Sequence, residues 1–175
     1  MAQAVADESW KTAESIYEFT VNNIKGEPVS LEEYKGHVCI IVNVASRCGH
    51  TKSNYEQLVQ LHEDYGESKG LKVLAFPCNQ FGAQEPGDAE KICSFIENYN
   101  VQFDMFEKIN VNGPKAVPLY HYLKHTLPDP KAKGKGNAIK WNFTKFVIDQ
   151  YGKPVKRFAS STKPLNMLKT LEEIW

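Results

Sequence analysis

The chain has 175 residues, of which 42% are hydrophobic and 24% are charged, a composition typical of one soluble globular domain spanning residues 1–175. Its formal net charge is zero, which argues against a general nucleic-acid-binding protein. No apolar stretch approaches the roughly 18 residues that a membrane-spanning helix needs.

The N-terminal region predicts a lead-in followed by a hairpin. Residues 1–11 include Asp7 and Glu8 and lack the apolar core of a signal peptide. We therefore expect residues 1–12 to be frayed. A turn-forming segment at 22–26 then separates the short stretches 15–20 and 28–31, which is typical of an N-terminal hairpin.

The middle of the chain predicts two buried parallel strands with helices. Continuous apolar runs at 38–45 and 71–76 are typical of buried strands, and the residues from 51 to 65 have helical periodicity. Two strands joined through a helix imply a right-handed parallel crossover. Asp88 is a suitable N-cap for a second helix that reaches residue 99, and Pro118 suits the first turn of a third helix ending at residue 126.

The last part of the chain predicts antiparallel pairing. Segments 143–149 and 155–158 form a hairpin with Gly152 in its turn, and leucines recur at helical spacing over 165–174. The whole pattern predicts an α/β domain with a thioredoxin-like fold: a central mixed sheet flanked by helices, with an N-terminal hairpin.

Cys48 is the most informative residue, because it lies in the turn between the first buried strand and the following helix. The free N–H groups and macrodipole of a helix N-terminus favour a thiolate, and Arg47 adds a positive neighbour. The position indicates a nucleophile or a redox centre, although a cysteine is also often a small buried hydrophobe.

The other thiols are Cys39, Cys78 and Cys93. The four cysteines form neither a Cys-x-x-Cys pair nor a zinc-type pattern, so we expect free thiols, no metal site and a reducing, cytoplasmic setting.

Two more segments are expected to contribute to the same site as Cys48. Residues 76–87 follow the second buried strand, and ligand sites in open α/β sheets lie beyond the carboxyl ends of the strands. Residues 136–146 lead into the C-terminal hairpin.

At these segments the chain resembles the glutathione peroxidases, and among them the small phospholipid-hydroperoxide type. The similarity runs from about residue 15 to the C-terminus, and its motifs are Asn43-Val-Ala-Ser-x-Cys-Gly49, Phe76-Pro-Cys-Asn-Gln-Phe81 and Trp141-Asn-Phe143. The resemblance implies a peroxidase that reduces hydrogen peroxide, organic hydroperoxides and phospholipid hydroperoxides. Glutathione would be its co-substrate, and no bound cofactor is implied.

The resemblance also implies roles for individual residues. The family's peroxidatic residue, a cysteine or a selenocysteine, falls on Cys48, and its supporting partners fall on Gln84, Trp141 and Asn142. Amide and indole N–H groups donate hydrogen bonds to developing negative charge. The oxidised product would be a sulfenic acid, or a selenenic acid if the natural residue is selenocysteine, and the sequence leaves that open.

Cys93 decides between two reductants. Relatives that use thioredoxin carry a resolving cysteine in the helix that begins near Asp88, but closer to Phe95 or Ile96. Cys93 is displaced from that position by two or three residues, so glutathione is favoured. A thioredoxin-dependent peroxidase that resolves through Cys93 stays an alternative, as does a thiol redox sensor that passes its oxidation state to a partner protein.

The segment before Trp141 carries the substrate-binding candidates. The stretch between Pro130 and Ile148 has no acidic residue and contains Lys131, Lys133, Lys135, Lys140 and Lys145. Lys131, Lys133, Lys135 and Lys140, which precede Trp141, are the substrate-binding candidates. This positive stretch is either a solvated loop or a surface for anionic ligands, and the resemblance favours phospholipid headgroups.

Two further expectations come from the resemblance. His50 lies where relatives often place a basic residue, so it is a candidate contact for glutathione. Tetrameric relatives carry a longer loop between the positions of Leu119 and Trp141, so the short segment here implies a monomer.

Overall fold

The computed structural model of the protein describes residues 7–134 and 136–175. Its strands are β1 (Thr20–Asn22), β2 (Pro28–Ser30), β3 (Cys39–Val44), β4 (Lys72–Pro77), β5 (Asp104–Met105), β6 (Lys145–Ile148) and β7 (Pro154–Phe158). Its α-helices are α1 (Thr51–Tyr65), α2 (Ala89–Glu97), α3 (Pro118–Thr126) and α4 (Leu168–Glu172).

Five strands form a central mixed sheet in the order β5-β4-β3-β6-β7. The pairs β3–β4 and β4–β5 are parallel, whereas β3–β6 and β6–β7 are antiparallel. Strands β1 and β2 form a separate antiparallel hairpin. The parallel crossover, the C-terminal hairpin and the thioredoxin-like arrangement predicted from the sequence are confirmed.

The central strand β3 is buried along its whole length. Its side chains alternate between two cores: Ile41 belongs to the core beneath α3 and the N-terminal hairpin, whereas Ile40 and Val42 belong to the core beneath α1, α2 and α4. Because both faces are covered, every residue of β3 except Asn43 is apolar. The carboxyl end of this strand, from which the Cys48 turn departs, is therefore fixed by packing on both sides.

The N-terminal lead-in differs from the prediction. Residues Ser9–Lys11 form a short 3-10 helix, and the ring of Trp10 stacks on that of His121 with centroids 5.3 Å apart. The expectation that residues 1–12 are frayed is thus wrong for this segment, because an aromatic contact with α3 offsets the entropy of ordering it. Residues 1–6 lie outside the described part of the chain.

The chain's last helix also differs. The predicted helix over 165–174 is a 3-10 turn, Pro164–Met167, followed by the short helix α4. Within the ranges given above, no helix combines the length and apolar character needed to cross a bilayer.

Lys145 is not part of the positive surface that the lysine-rich stretch predicts. It is 0% exposed, and its Nζ donates hydrogen bonds to the carbonyl oxygens of Thr162 (2.6 Å) and Ser160 (3.4 Å). Among the described residues no carboxylate forms an ion pair with it. Burial therefore lowers the pKa of its ammonium group to about 7.

The substitution Lys145→Met should remove a pH-dependent part of the stability. The ammonium pKa is about 7 in the folded protein and about 10.4 in an unfolded chain. Between these values the unfolded chain binds a proton that the folded protein does not. The unfolding free energy of the wild type should therefore rise with pH relative to the variant, by at most about 1.4 kcal/mol per pH unit.

Urea denaturation of both proteins at about pH 7, 8 and 9 measures this difference. The variant also leaves two carbonyl groups without a donor, but that loss does not vary with pH. A wild-type-minus-variant difference that stays constant over this range would contradict a buried lysine that deprotonates near neutrality.

Candidate active site

Cys48 is half-buried in the turn between β3 and α1. Its N–H donates to Thr51 Oγ1 at 3.0 Å, and the His50 N–H points to its sulfur at an N···S distance of 3.4 Å. The Thr51 hydroxyl donates in turn to the Ala45 carbonyl at 2.7 Å. The first residue of α1 thus ties down the turn, and the sulfur lies at a helix N-terminus, where a backbone N–H stabilises an anion.

Two of the other thiols are enclosed. Cys39 and Cys78 are both 0% exposed. Burial raises the pKa of Cys39 to about 12, and burial also raises the pKa of Cys78. A thiol that stays protonated is a poor nucleophile, so neither competes with Cys48.

Cys93 lies on α2 and is partly exposed. Phe95 and Ile96, two and three residues further along the helix, pack in the same apolar cluster as Cys48, whereas Cys93 is not among its members.

Gln84 and Asn142 are 58 positions apart and are hydrogen bonded in the structure. The Asn142 Nδ2 donates to Gln84 Oε1 at 2.8 Å. Asn142 is fully buried, while Gln84 is half-buried beside the site. Because the amide oxygen of Gln84 is already an acceptor, its Nε2 group is the part that remains free to donate to a ligand.

The Trp141 ring and the Gln84 amide both lie next to Gly82. A Cβ atom on Gly82 would lie 3.2 Å from the Trp141 ring and 3.3 Å from Gln84 Nε2. Gly82 also has φ +65°, a conformation that suits glycine. The absence of a side chain at this position therefore allows the indole and the amide to approach each other closely.

Asn43, near the end of β3, holds the turn that carries Trp141. Its Nδ2 donates to the Trp141 carbonyl at 3.2 Å, and its Oδ1 accepts from the Thr144 N–H at 3.2 Å. Its own carbonyl accepts from the Phe143 N–H at 2.7 Å. These bonds hold Phe143 at φ +62°, a left-handed conformation that is rare for aromatic residues.

The sequence motif that contains Asn43 does not indicate a role for this residue. The available signal was a polar residue inside an otherwise apolar strand, since a fully buried amide must find hydrogen-bond partners.

The loop that carries Gln84 is joined directly to the Cys48 turn. The Arg47 N–H donates to the Gln84 carbonyl at 3.1 Å, and the Ser46 hydroxyl is hydrogen bonded to the carboxyl group of Glu85. Burial raises the pKa of Glu85. Sequence reasoning did not single out Ser46 or Glu85.

The remaining predicted residues are His50 and the lysines before Trp141. The His50 imidazole is half-buried and makes no capping hydrogen bond with α1. Lys131 and Lys140 line a cavity of about 230 Å³ together with Arg157 and Asp129. Lys133 is exposed on the same loop. The prediction for Lys135 falls outside the described residues.

Fold and site together define a class of protein. A single half-buried thiol leaves the carboxyl end of the central strand of a thioredoxin-like sheet, and the Gln84 amide and the Trp141 ring lie at the same edge. This arrangement is that of a thiol-dependent oxidoreductase.

Comparisons with known proteins identify the family. A family model described as glutathione peroxidase matches residues 16–124. The phospholipid hydroperoxide glutathione peroxidases of Macaca fuscata fuscata and Mus musculus are 53% and 51% identical over 165 residues, which are 94% of this chain and 82% of theirs. The chain therefore belongs to the glutathione peroxidase family, and it is a peroxidase.

Solved structures agree with this assignment. The crystal structure of T. cruzi GPX1 is 42% identical and has a TM-score of 0.75, covering 92% of this chain and 96% of its own. A thioredoxin-family thiol:disulfide interchange protein from Chlorobium tepidum is 15% identical with a TM-score of 0.66, covering 89% of this chain and 92% of its own. The second similarity concerns the fold alone.

The substitutions Gln84→Ala and Trp141→Ala should each slow the reaction of the reduced enzyme with hydroperoxide by about ten- to a thousandfold. Each removes one donor to the developing negative charge, and this range is typical for such a loss. Stopped-flow measurement of the second-order rate constant checks the prediction. Unchanged rates in both variants would remove these residues from the site.

Proposed function

We propose that this peroxidase reduces hydrogen peroxide, organic hydroperoxides and phospholipid hydroperoxides at Cys48, with glutathione as the reductant. The observation that carries the proposal is the convergence of the Gln84 amide and the Trp141 indole beside the turn of the half-buried Cys48. The names of the curated relatives, phospholipid hydroperoxide glutathione peroxidases, support the choice of substrate and reductant.

The first step oxidises Cys48. Its thiolate attacks the outer oxygen of the hydroperoxide, the O–O bond breaks, and the other oxygen leaves as an alcohol or water after taking up a proton. The Gln84 Nε2 and the Trp141 indole N–H donate to the oxygen on which charge develops. Asn142 orients the Gln84 amide through its hydrogen bond to Oε1.

The second step restores the thiol. A glutathione thiol attacks the Cys48 sulfenic acid, which releases water and forms a mixed disulfide. A second glutathione attacks that disulfide, which frees Cys48 and yields glutathione disulfide. The half-buried His50 imidazole beside Cys48 is our candidate contact for glutathione. If the natural residue 48 is selenocysteine, the same steps pass through a selenenic acid.

Glutathione is favoured over thioredoxin by the position of Cys93. The thiol lies outside the apolar cluster that contains Cys48, Phe95 and Ile96. A redox sensor would need the same oxidised Cys48 but would not turn over with glutathione. Turnover therefore separates the sensor from the enzyme.

We further propose that the chain is a single-domain monomer in the cytoplasm that contacts phospholipid surfaces peripherally. The short segment between Leu119 and Trp141 supports the monomer. The exposed side chains of Lys131, Lys133 and Lys140 support the lipid contact, because cations near the site attract phosphate groups.

The two cysteine variants should separate the three mechanisms. Cys48→Ser should abolish glutathione-supported peroxide reduction while the protein stays folded, because a hydroxyl group stays protonated at neutral pH. Cys93→Ser should turn over at nearly the wild-type rate. Coupled steady-state assays and circular dichroism are the measurements.

Other outcomes assign other mechanisms. Loss of the nucleophile should leave far less than a few per cent of the wild-type activity. Activity of Cys48→Ser above roughly that level would therefore indicate another nucleophile. Arrest of Cys93→Ser at the sulfenic acid stage would make Cys93 the resolving thiol and thioredoxin the better reductant.

The surface lysines should matter for phospholipid substrates only. Changing Lys131, Lys133 and Lys140 together to glutamine removes three charges, each worth on the order of 1 kcal/mol near an anionic surface. Activity on a phospholipid hydroperoxide in anionic vesicles should fall more than about tenfold. Hydrogen peroxide reduction should hardly change, because that substrate is small and neutral.

The matched control is the triple change of three exposed lysines elsewhere, Lys25, Lys115 and Lys169. Added salt should reproduce the loss in the wild type through screening. An equal fall for both substrates would instead assign these lysines to glutathione binding. No fall for either substrate would make the stretch a solvated loop.

A further inference from the structure

We infer that Glu85 is a positioning residue, whose buried carboxyl group fixes the turn of Cys48 against the loop of Gln84. The inference rests on the proposed roles of those two residues. Glu85 directly follows Gln84 and is only 1% exposed, although glutamate is rarely buried in proteins.

Arg47 and Ser46 join the Cys48 turn (46–50) to the Gln84 loop (79–87), and the backbone N–H of Ser46 as well as its hydroxyl interacts with the Glu85 carboxyl group. The Arg47 N–H donates to the Gln84 carbonyl, and the Ser46 hydroxyl is hydrogen bonded to Glu85 Oε1. Without the Glu85 carboxyl group only the Arg47 backbone bond would remain of these contacts, and the Ser46 part of the turn would lose its restraint.

Glu85 is itself held at both ends of its backbone. Its N–H donates to Asn79 Oδ1 at 3.0 Å, and its carbonyl accepts from Lys108 Nζ at 2.9 Å. The same ammonium group donates to the Gly87 carbonyl at 2.6 Å. The carboxyl group therefore extends from an anchored segment, and it can hold Ser46, and through it the Cys48 turn, in one place.

Stability alone does not explain the carboxyl group. Its second oxygen, Oε2, is buried and has no hydrogen-bond partner among the described residues. A buried polar atom without a partner destabilises the folded state, and an apolar side chain of similar volume is often tolerated as well or better. What the carboxyl group contributes is the fixed contact with Ser46.

The contact matters because the Gln84 amide must meet the charge that develops at Cys48. A displacement of about 1 Å in such a site lowers a rate by roughly a hundredfold. Glu85 would thus control the peroxide step through Ser46 and Gln84, without touching the substrate.

Three variants test the inference. Glu85→Leu removes the carboxyl group and keeps its volume, Ser46→Ala removes the partner, and Glu85→Gln keeps an oxygen that accepts from the Ser46 hydroxyl. We expect the first two to slow the stopped-flow reaction with hydrogen peroxide by about ten- to a hundredfold. The double variant with both changes should be no slower than the slower single variant, since both changes break one contact.

Glu85→Gln should react within about threefold of the wild type, since it restores the contact. Ser94→Ala, at an exposed serine on α2, is the matched control and should react at the wild-type rate. The melting temperature of Glu85→Leu should not fall, because an apolar side chain replaces a buried carboxyl group with one unpaired oxygen. Alkylation by iodoacetamide, followed by mass spectrometry, should show in every variant that the Cys48 thiol is present and reactive.

Three results would overturn the inference: wild-type rates in Glu85→Leu and Ser46→Ala, an equal loss in Glu85→Gln, or rate losses that follow a fall in melting temperature. Gln84→Ala is measured in the same series. If it reacts normally, the proposed role of Gln84 fails, and the inference fails with it. If it is slow while Glu85→Leu is fast, only the role of Glu85 is removed.

Discussion

The hydrogen bonds of the Asn43 side chain are the constraint on which the site depends, because they hold the turn before β6 against the end of β3. That turn carries Asn142, which binds the amide of Gln84. The Gln84 carbonyl accepts from Arg47, the neighbour of Cys48, and Cys48 follows β3. The contacts therefore close into a ring in which each member fixes the next.

The ring suits a single thiol. In the proposed mechanism the groups that face the reacting oxygen are an amide and an indole, which donate hydrogen bonds without taking up its proton. The turn itself contains no second cysteine close to Cys48. In that mechanism a thioredoxin-like sheet presents one sulfur at its edge, and later segments of the chain supply the donors that favour peroxide reduction over disulfide exchange.

Much of this arrangement could be predicted from the sequence. The apolar runs and the cap at Asp88 have purely local causes, and the structure has the corresponding strands and the cap, with the Asp88 side chain accepting from the Lys91 N–H. Lys145 could not be placed, because it ends a run of exposed lysines and nothing local says that it enters a strand. The packing of Trp10 on α3 could not be predicted from local sequence either, since it joins segments about a hundred residues apart.

The Asn43 contacts also imply an order of steps during the synthesis and folding of the chain. The bond from Thr144 to Asn43 spans 101 positions, and contacts of such long range form slowly because a large loop must close first. During synthesis the segment with Cys48 leaves the ribosome well before the segment with Trp141 and Asn142. With the proposed roles, the nascent chain therefore carries a thiol before the Trp141 donor and the Asn142 contact are in place, and full peroxidase activity requires the C-terminal hairpin to join the sheet.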